Sequence, residues 1–197
     1  MNRTVLSCAA VAAIIVPVLG QPFSYNEFVD GDLSNDLLNP TDLGPAGLGV
    51  NSVRLSVFES TTPGGDFDVF TFEIQGGQEM AGLLLLDYLG SDEIAYLAIA
   101  AGPVFPVNPN DNPSDFLGGA LIGPPVAGIG SDYFPLLQLP FAGGTGFSGN
   151  LGAGSYSIFV QQTGEYTELE LGIVVIPAPG SIAALGLLGL VGVRRRR

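Results

Sequence analysis

All-β architecture, an antiparallel β-sandwich or jelly roll with long Pro/Gly-rich loops, is what three features of this 197-residue sequence predict. Glycine and proline (29 and 15 residues) are spread along the chain, and both are poor in helix interiors. Between them stand short runs rich in Val, Ile, Leu, Phe and Tyr, too apolar for disorder. Several of these runs alternate apolar and polar residues with a period of two, the pattern of half-buried strands. Residues 1–20 read as a signal peptide, 21–176 as one domain long enough for a sizeable core, and 177–197 as a tail with a short apolar helix.

The elements follow in order. Met1-Asn2-Arg3 supplies one positive charge, Val5 to Val16 an apolar run, and Val18-Leu19-Gly20 a place for cleavage before Gln21. The single cysteine, Cys8, follows Val5-Leu6-Ser7 in faint likeness to a lipoprotein box, with almost no apolar segment ahead of it. Ser52 to Phe58 sets Val53, Leu55 and Val57 against Ser52, Arg54 and Ser56, a strand that ends at the turn Thr61 to Gly65. In Asp66 to Ile74, Phe70, Phe72 and Ile74 share one face while Thr71 and Glu73 take the other. Glu79 to Tyr88 contains Leu83 to Leu86, apolar on both faces, which suits a central strand; periodicity alone does not separate this run from a short helix. Ile94 to Ala101 follows the acidic turn at Gly90 to Glu93. From Gly102 to Asn150 proline and glycine dominate, leaving long loops with short strands near Phe116 to Ile122 and Tyr133 to Leu139. Gly154 to Val160 and Thr167 to Val175 complete seven or eight strands.

At the C-terminus, Pro177-Ala178-Pro179-Gly180 precedes the apolar Ser181 to Val193 and a block of four arginines, Arg194 to Arg197. Gly180 to Val193 would make about 21 Å of helix, short of the ~30 Å hydrocarbon core, so it is a poor permanent span. The basic block favours the cytoplasmic side and places the preceding domain outside. This tail resembles the PEP-CTERM sorting signal, in which a Pro-Glu-Pro motif, an apolar helix and a basic end are recognised by an exosortase. Pro177, Pro179 and Arg194, Arg195, Arg196 and Arg197 match, while Ala178 stands where the family has glutamate. The resemblance implies an exosortase-type membrane transpeptidase as partner, membrane attachment through the helix before processing, and a setting in the envelope or extracellular polysaccharide matrix. An ordinary tail anchor is the plainer alternative.

A second resemblance covers most of the domain. Gly65-Asp66-Phe67-Asp68-Val69-Phe70-Thr71-Phe72, Gly76-Gly77 and Gly154-Ser155-Tyr156-Ser157-Ile158-Phe159-Val160 are similar to the pre-peptidase C-terminal type of β-sandwich. The opening Asp30-Gly31-Asp32 with Pro40-Thr41-Asp42-Leu43 also looks like the start of such modules, whereas the proline-rich middle does not match.

Charge narrows the function. All 19 acidic residues lie in the domain against Arg54 as its only cation, which disfavours nucleic acid as a partner, since phosphate contacts need Lys and Arg. With Cys8 removed no disulfide or thiolate metal site can form, and the absence of histidine excludes Ser-His-Asp chemistry and His-ligated metals. Two-carboxylate glycoside hydrolysis could use Asp92-Glu93 or Glu168/Glu170, but acids in turns and alternating along strands are more simply solvated faces. Six tyrosines offer stacking platforms for sugars, although tryptophan, the usual one, is missing. The expectation is a non-catalytic structural or adhesive module, with a carbohydrate-binding module as the alternative.

Candidate metal ligands are aspartates. Asp66 and Asp68 line up with Phe70 and Phe72, which carries two carboxylates toward a face that becomes core, where unpaired charge is expensive. Asp30, Asp32 and Asp36 sit in a turn-like segment, spaced like part of a calcium loop without its closing glutamate. Two readings stand: Ca2+ ligands, or turn aspartates bonded to backbone amides.

Overall fold

The computed structural model describes residues 20–180 except 60–62, 64, 91, 108–115 and 142. Residues 1–19 of the expected signal peptide, Cys8 among them, and the expected apolar helix with Arg194 to Arg197 lie outside the described residues.

Nine strands occur among the described residues: β1 Ser24–Asn26, β2 Thr41–Pro45, β3 Gly49–Val57, β4 Phe67–Ile74, β5 Gln78–Gly90, β6 Ala95–Ala101, β7 Gly118–Ile122, β8 Gly154–Gln161 and β9 Thr167–Pro177. They form two sheets, ordered β1-β3-β9-β5 and β2-β4-β8-β6-β7. The inner faces pack together around Leu55, Phe70, Phe72, Leu85, Leu97, Ile158, Leu171 and Ile173, all essentially removed from water. This is consistent with a β-sandwich.

The sheets are mixed rather than antiparallel, which corrects the expectation. β1 runs parallel to β3, with Ser24 opposite Ser52, and β2 runs parallel to β4, with Thr41 opposite Phe70. The cause is the crossing segment between them. The chain leaves β1 at the edge of the first sheet, passes through the one-turn helix α1 (Glu27–Asp30), and enters β2 at the edge of the second sheet. Hairpins force antiparallel pairing, and a segment that changes sheets is free of that constraint.

Other strands match their patterns closely. In β3, Val53, Leu55 and Val57 are buried and the polar residues between them are not, and β3 pairs with β9 over its full length. Leu83 to Leu86 is strand, with β5 paired to β9. The expected strand at Tyr133 to Leu139 is instead the one-turn helix α2 (Phe134–Leu137). Pro135 in its first turn explains this: its fixed φ suits a helix start, and it has no N–H for a ladder.

β4 is buried on both faces, because Phe105 and Phe116, from the chain between β6 and β7, cover the outer face of the second sheet. Phe105 and Phe116 pack there with Val69, Ala98, Ala100 and Phe159, with Phe105 and Phe159 ring centroids 5.5 Å apart. Loops also seal sheet edges. The segment 130–133 bonds to β5 through Gly130 N to Leu85 O, Leu85 N to Ser131 O and Tyr133 N to Leu83 O. Beside β7, Gly146 N donates to Leu117 O, and Gly118 lies so close under α2 that a Cβ on it would sit 2.1 Å from Leu137 O.

The register also fixes the poles of the sandwich. β9 begins at Thr167, opposite Val57 and Gly90, and ends at Pro177, opposite Gln78. Its 11 residues span about 36 Å. The chain leaves the described structure from the Pro177 pole, where Ala178 N donates to Gly77 O. Among the described residues no helix is long and apolar enough to cross a membrane.

Candidate metal centre

At the opposite pole, three carboxylates converge. Glu27, Asp32 and Asp68 each bring one oxygen to within 4.8 Å of the other two. Each is placed by a different element.

Asp68 belongs to β4, paired with Val160 of β8, and its side chain is wholly buried. Neither carboxylate oxygen meets a hydrogen-bond donor. Glu27 opens α1, where Asn26 caps the turn by accepting from Phe28 N. One Glu27 oxygen accepts from the Ser56 hydroxyl on β3, and the other is buried without a donor. Asp32 follows α1 in the crossing segment and is exposed, so it closes the group from the solvent side. Asp66, two residues before Asp68, is mostly buried; its backbone N–H donates to Phe58 O (2.6 Å), and its carboxylate accepts from Asn35.

The electrostatics are those of acids packed together away from water. Burial, then the charges of Glu27, Asp66 and Asp32, push the Asp68 carboxyl up to about 10. Burial also raises Glu27, with the Ser56 hydroxyl opposing it, and raises Asp66, with Asn35 opposing and Asp32 adding. The domain's one arginine gives no relief. Arg54 lies on the outer face of the first sheet, paired with Glu168 and within 3.5 Å of Asp87 and 3.7 Å of Glu170.

Bare carboxylate oxygens facing each other are compatible with two occupants, a proton or a cation. Oxygens that surround one Ca2+ at about 2.4 Å lie no more than about 4.8 Å apart, and Ca2+ takes oxygen ligands only, water included. The donor set and its spacing therefore fit a hard divalent cation. The orphaned oxygens of Asp68 and Glu27 are what such an ion would satisfy.

Of the aspartates singled out from the sequence, Asp32 and Asp68 converge and Asp66 lies beside them. Asp30 and Asp36 do turn work instead. Asp30 Oδ2 accepts from Asn26 N (2.9 Å), and Asp36 accepts from Leu38 N and the Asn39 side chain, which lower its pKa. Glu27 was missed. The available signal was Asn26 as a cap directly ahead of an acid. As for the candidate acid pairs, Glu168 and Glu170 belong to the Arg54 ion-pair group, and Asp92 and Glu93 sit in the β5–β6 turn. Among the tyrosines, Tyr88, Tyr133 and Tyr156 are core residues.

Compared with known proteins, this chain matches no family model, no curated protein and no solved structure.

Proposed function

We propose that this chain is an exported, non-catalytic structural or adhesive module of the cell surface or extracellular matrix, sorted through its C-terminal signal and clamped by calcium. The observation that carries the calcium clamp is Asp68: a carboxylate removed from water, with both oxygens unpartnered, beside Glu27 and Asp32. An ion there ties three parts of the chain together: α1, the crossing segment and β4. The crossing segment joins β1 to β2 along the chain, so the clamp would hold the two sheet edges together.

Export and sorting rest on the sequence of the two ends, and the fold is compatible with them. The tail leaves from the Pro177 pole, so a chain held by its C-terminus would present the acidic pole outward. Exosortase processing of the tail, with membrane attachment beforehand, completes the reading.

Melting of the full chain in chelator and then in calcium tests the clamp. A ligand that binds the native state stabilises it by RT ln(1 + [L]/Kd), about 2.7 kcal/mol at 100 Kd. An unchanged melting temperature in millimolar calcium would overturn it. For sorting, deletion of Arg194 to Arg197 or replacement of Pro177 and Pro179 should leave the chain unprocessed; an identical mature mass and unchanged envelope attachment would refute that part.

A further inference from the structure

A second site lies on the same side of the sandwich and does not rest on the cation reading. Between the edges β1 and β2 is a cleft of about 330 Å³, lined by Phe23, Ser24, Tyr25, Asp30, Asp42 and Leu43. That volume is at the small end of ligand pockets. Phe23, Tyr25 and Leu43 pack against the core and supply the aromatic and aliphatic part of a mixed lining.

Its polar groups are held in place. The Tyr25 hydroxyl donates to Gly31 O (2.7 Å), which fixes the ring. Asp30 accepts from Asn26 N through Oδ2, and Asp42 accepts from Gly44 N (2.8 Å) through Oδ1. Each carboxylate is thus anchored by one oxygen, while its side chain is exposed to solvent. One carboxylate comes from α1 and the other from β2, so they approach the cleft from two elements. The only cation among the described residues, Arg54, is engaged by Glu168, Glu170 and Asp87.

We infer that this cleft receives the guanidinium or ammonium group of a basic side chain from a partner polypeptide. Charge complementarity selects this occupant. An aromatic lining with two anchored carboxylates and no basic residue suits a cation, which gains ring contact and charge-assisted hydrogen bonds together. An anionic polysaccharide would meet repulsion from both walls. Guanidinium is the better fit of the two, being planar and weakly hydrated.

The test is an NMR titration of the full chain in detergent micelles with the tripeptides Gly-Arg-Gly, Gly-Lys-Gly and Gly-Gln-Gly, and with maltotriose. The amides of Asn26 and Gly44, which donate to the two carboxylates, are the reporters. Saturable shifts are expected with Gly-Arg-Gly, weaker ones with Gly-Lys-Gly, and none with Gly-Gln-Gly. Asp42→Asn should weaken the arginine peptide about fivefold, the loss of one charge-assisted contact. Tyr25→Leu should weaken it again by removing the ring. Equal shifts with the glutamine peptide, saturation by maltotriose alone, or an unchanged affinity in Asp42→Asn would overturn the inference. Because Asp42 lies outside the Glu27, Asp32 and Asp68 group, a calcium-dependent melt retained by Asp42→Asn while peptide binding is weakened separates this site from the clamp.

Discussion

The carboxyl of Glu27, at the start of α1, meets that of Asp68, in the wall of β4, with an oxygen of each inside a 4.8 Å group that Asp32 completes. They are remote in sequence and are brought together because β1 lies beside β3, which carries the Ser56 hydroxyl that holds Glu27. Two acids in this relation need a proton or a cation between them.

Asp68→Asn should therefore do two opposite things. In chelator near neutral pH the amide is neutral without taking up the proton that Asp68 must bind on folding, and it can donate to Glu27, so the variant should melt higher than the parent, by about 1–3 kcal/mol in stability. In calcium it should melt lower, because the ion loses a ligand. Differential scanning calorimetry of both proteins under both conditions reads the crossing of the two effects; a variant that keeps the full calcium shift would remove Asp68 from the ligand set.

Without calcium, stability should fall as pH rises from about 4 toward 10. Asp68 has a native pKa raised from 3.8 to about 10, so the native state holds a proton that the unfolded chain releases. For a raised carboxyl the favourable contribution is complete below the unfolded value and is lost as pH climbs through the native one. The slope is at most ~1.4 kcal/mol per pH unit for one proton. It should flatten in Asp68→Asn, and urea unfolding at several pH values in chelator provides the check.

Asn51 is predicted to be the most costly polar substitution in the first sheet. Its side chain is fully buried; Oδ1 accepts from Phe23 N (3.1 Å) and Gly47 N (2.9 Å), while Nδ2 donates to Gly47 O (2.8 Å) and Ile173 O (3.3 Å). Asn51→Leu keeps the volume and strands those backbone groups, each at about 1–3 kcal/mol. Amide exchange should rise at Phe23 and Gly47 first, and unchanged protection there would contradict the assignment.

Gly118→Ala should damage the β7 edge far more than Gly152→Ala at an open turn. At Gly118 the new methyl meets Leu137 O at 2.1 Å and the backbone beyond it, whereas nothing lies within 4 Å of a Cβ at Gly152. A drop in melting temperature confined to the first variant is the expected result; equal melting temperatures would mean that α2 is free to lift away.

Much of the fold was legible, and the reasons for the rest are physical. Val53, Leu55 and Val57, or Leu169, Leu171 and Ile173, announce their strands because one face of each meets the core and the other does not. That signal fails at Val69, which is covered by Phe105 and Phe116 from farther along the chain. It fails also for β1 and β2, which are too short to show a period, and their parallel pairing depends on a crossing that no local pattern encodes. At the candidate site, the Asp66-x-Asp68 pair was visible from its alignment with Phe70 and Phe72. Spacing suggested Asp30 and Asp36, but spacing counts neighbours along the chain; these two lie outside the converging group and accept from the amides of Asn26 and Leu38. Glu27 enters through the pairing of strands.

The sealed edges of the sheets bear on how such molecules live beside one another. A row of free backbone amides invites a neighbouring chain to continue the ladder. Here the segment 130–133 occupies that row along the middle of β5. The proline- and glycine-rich middle of the sequence, the part least like a strand, thus covers the middle of that edge against a neighbouring chain.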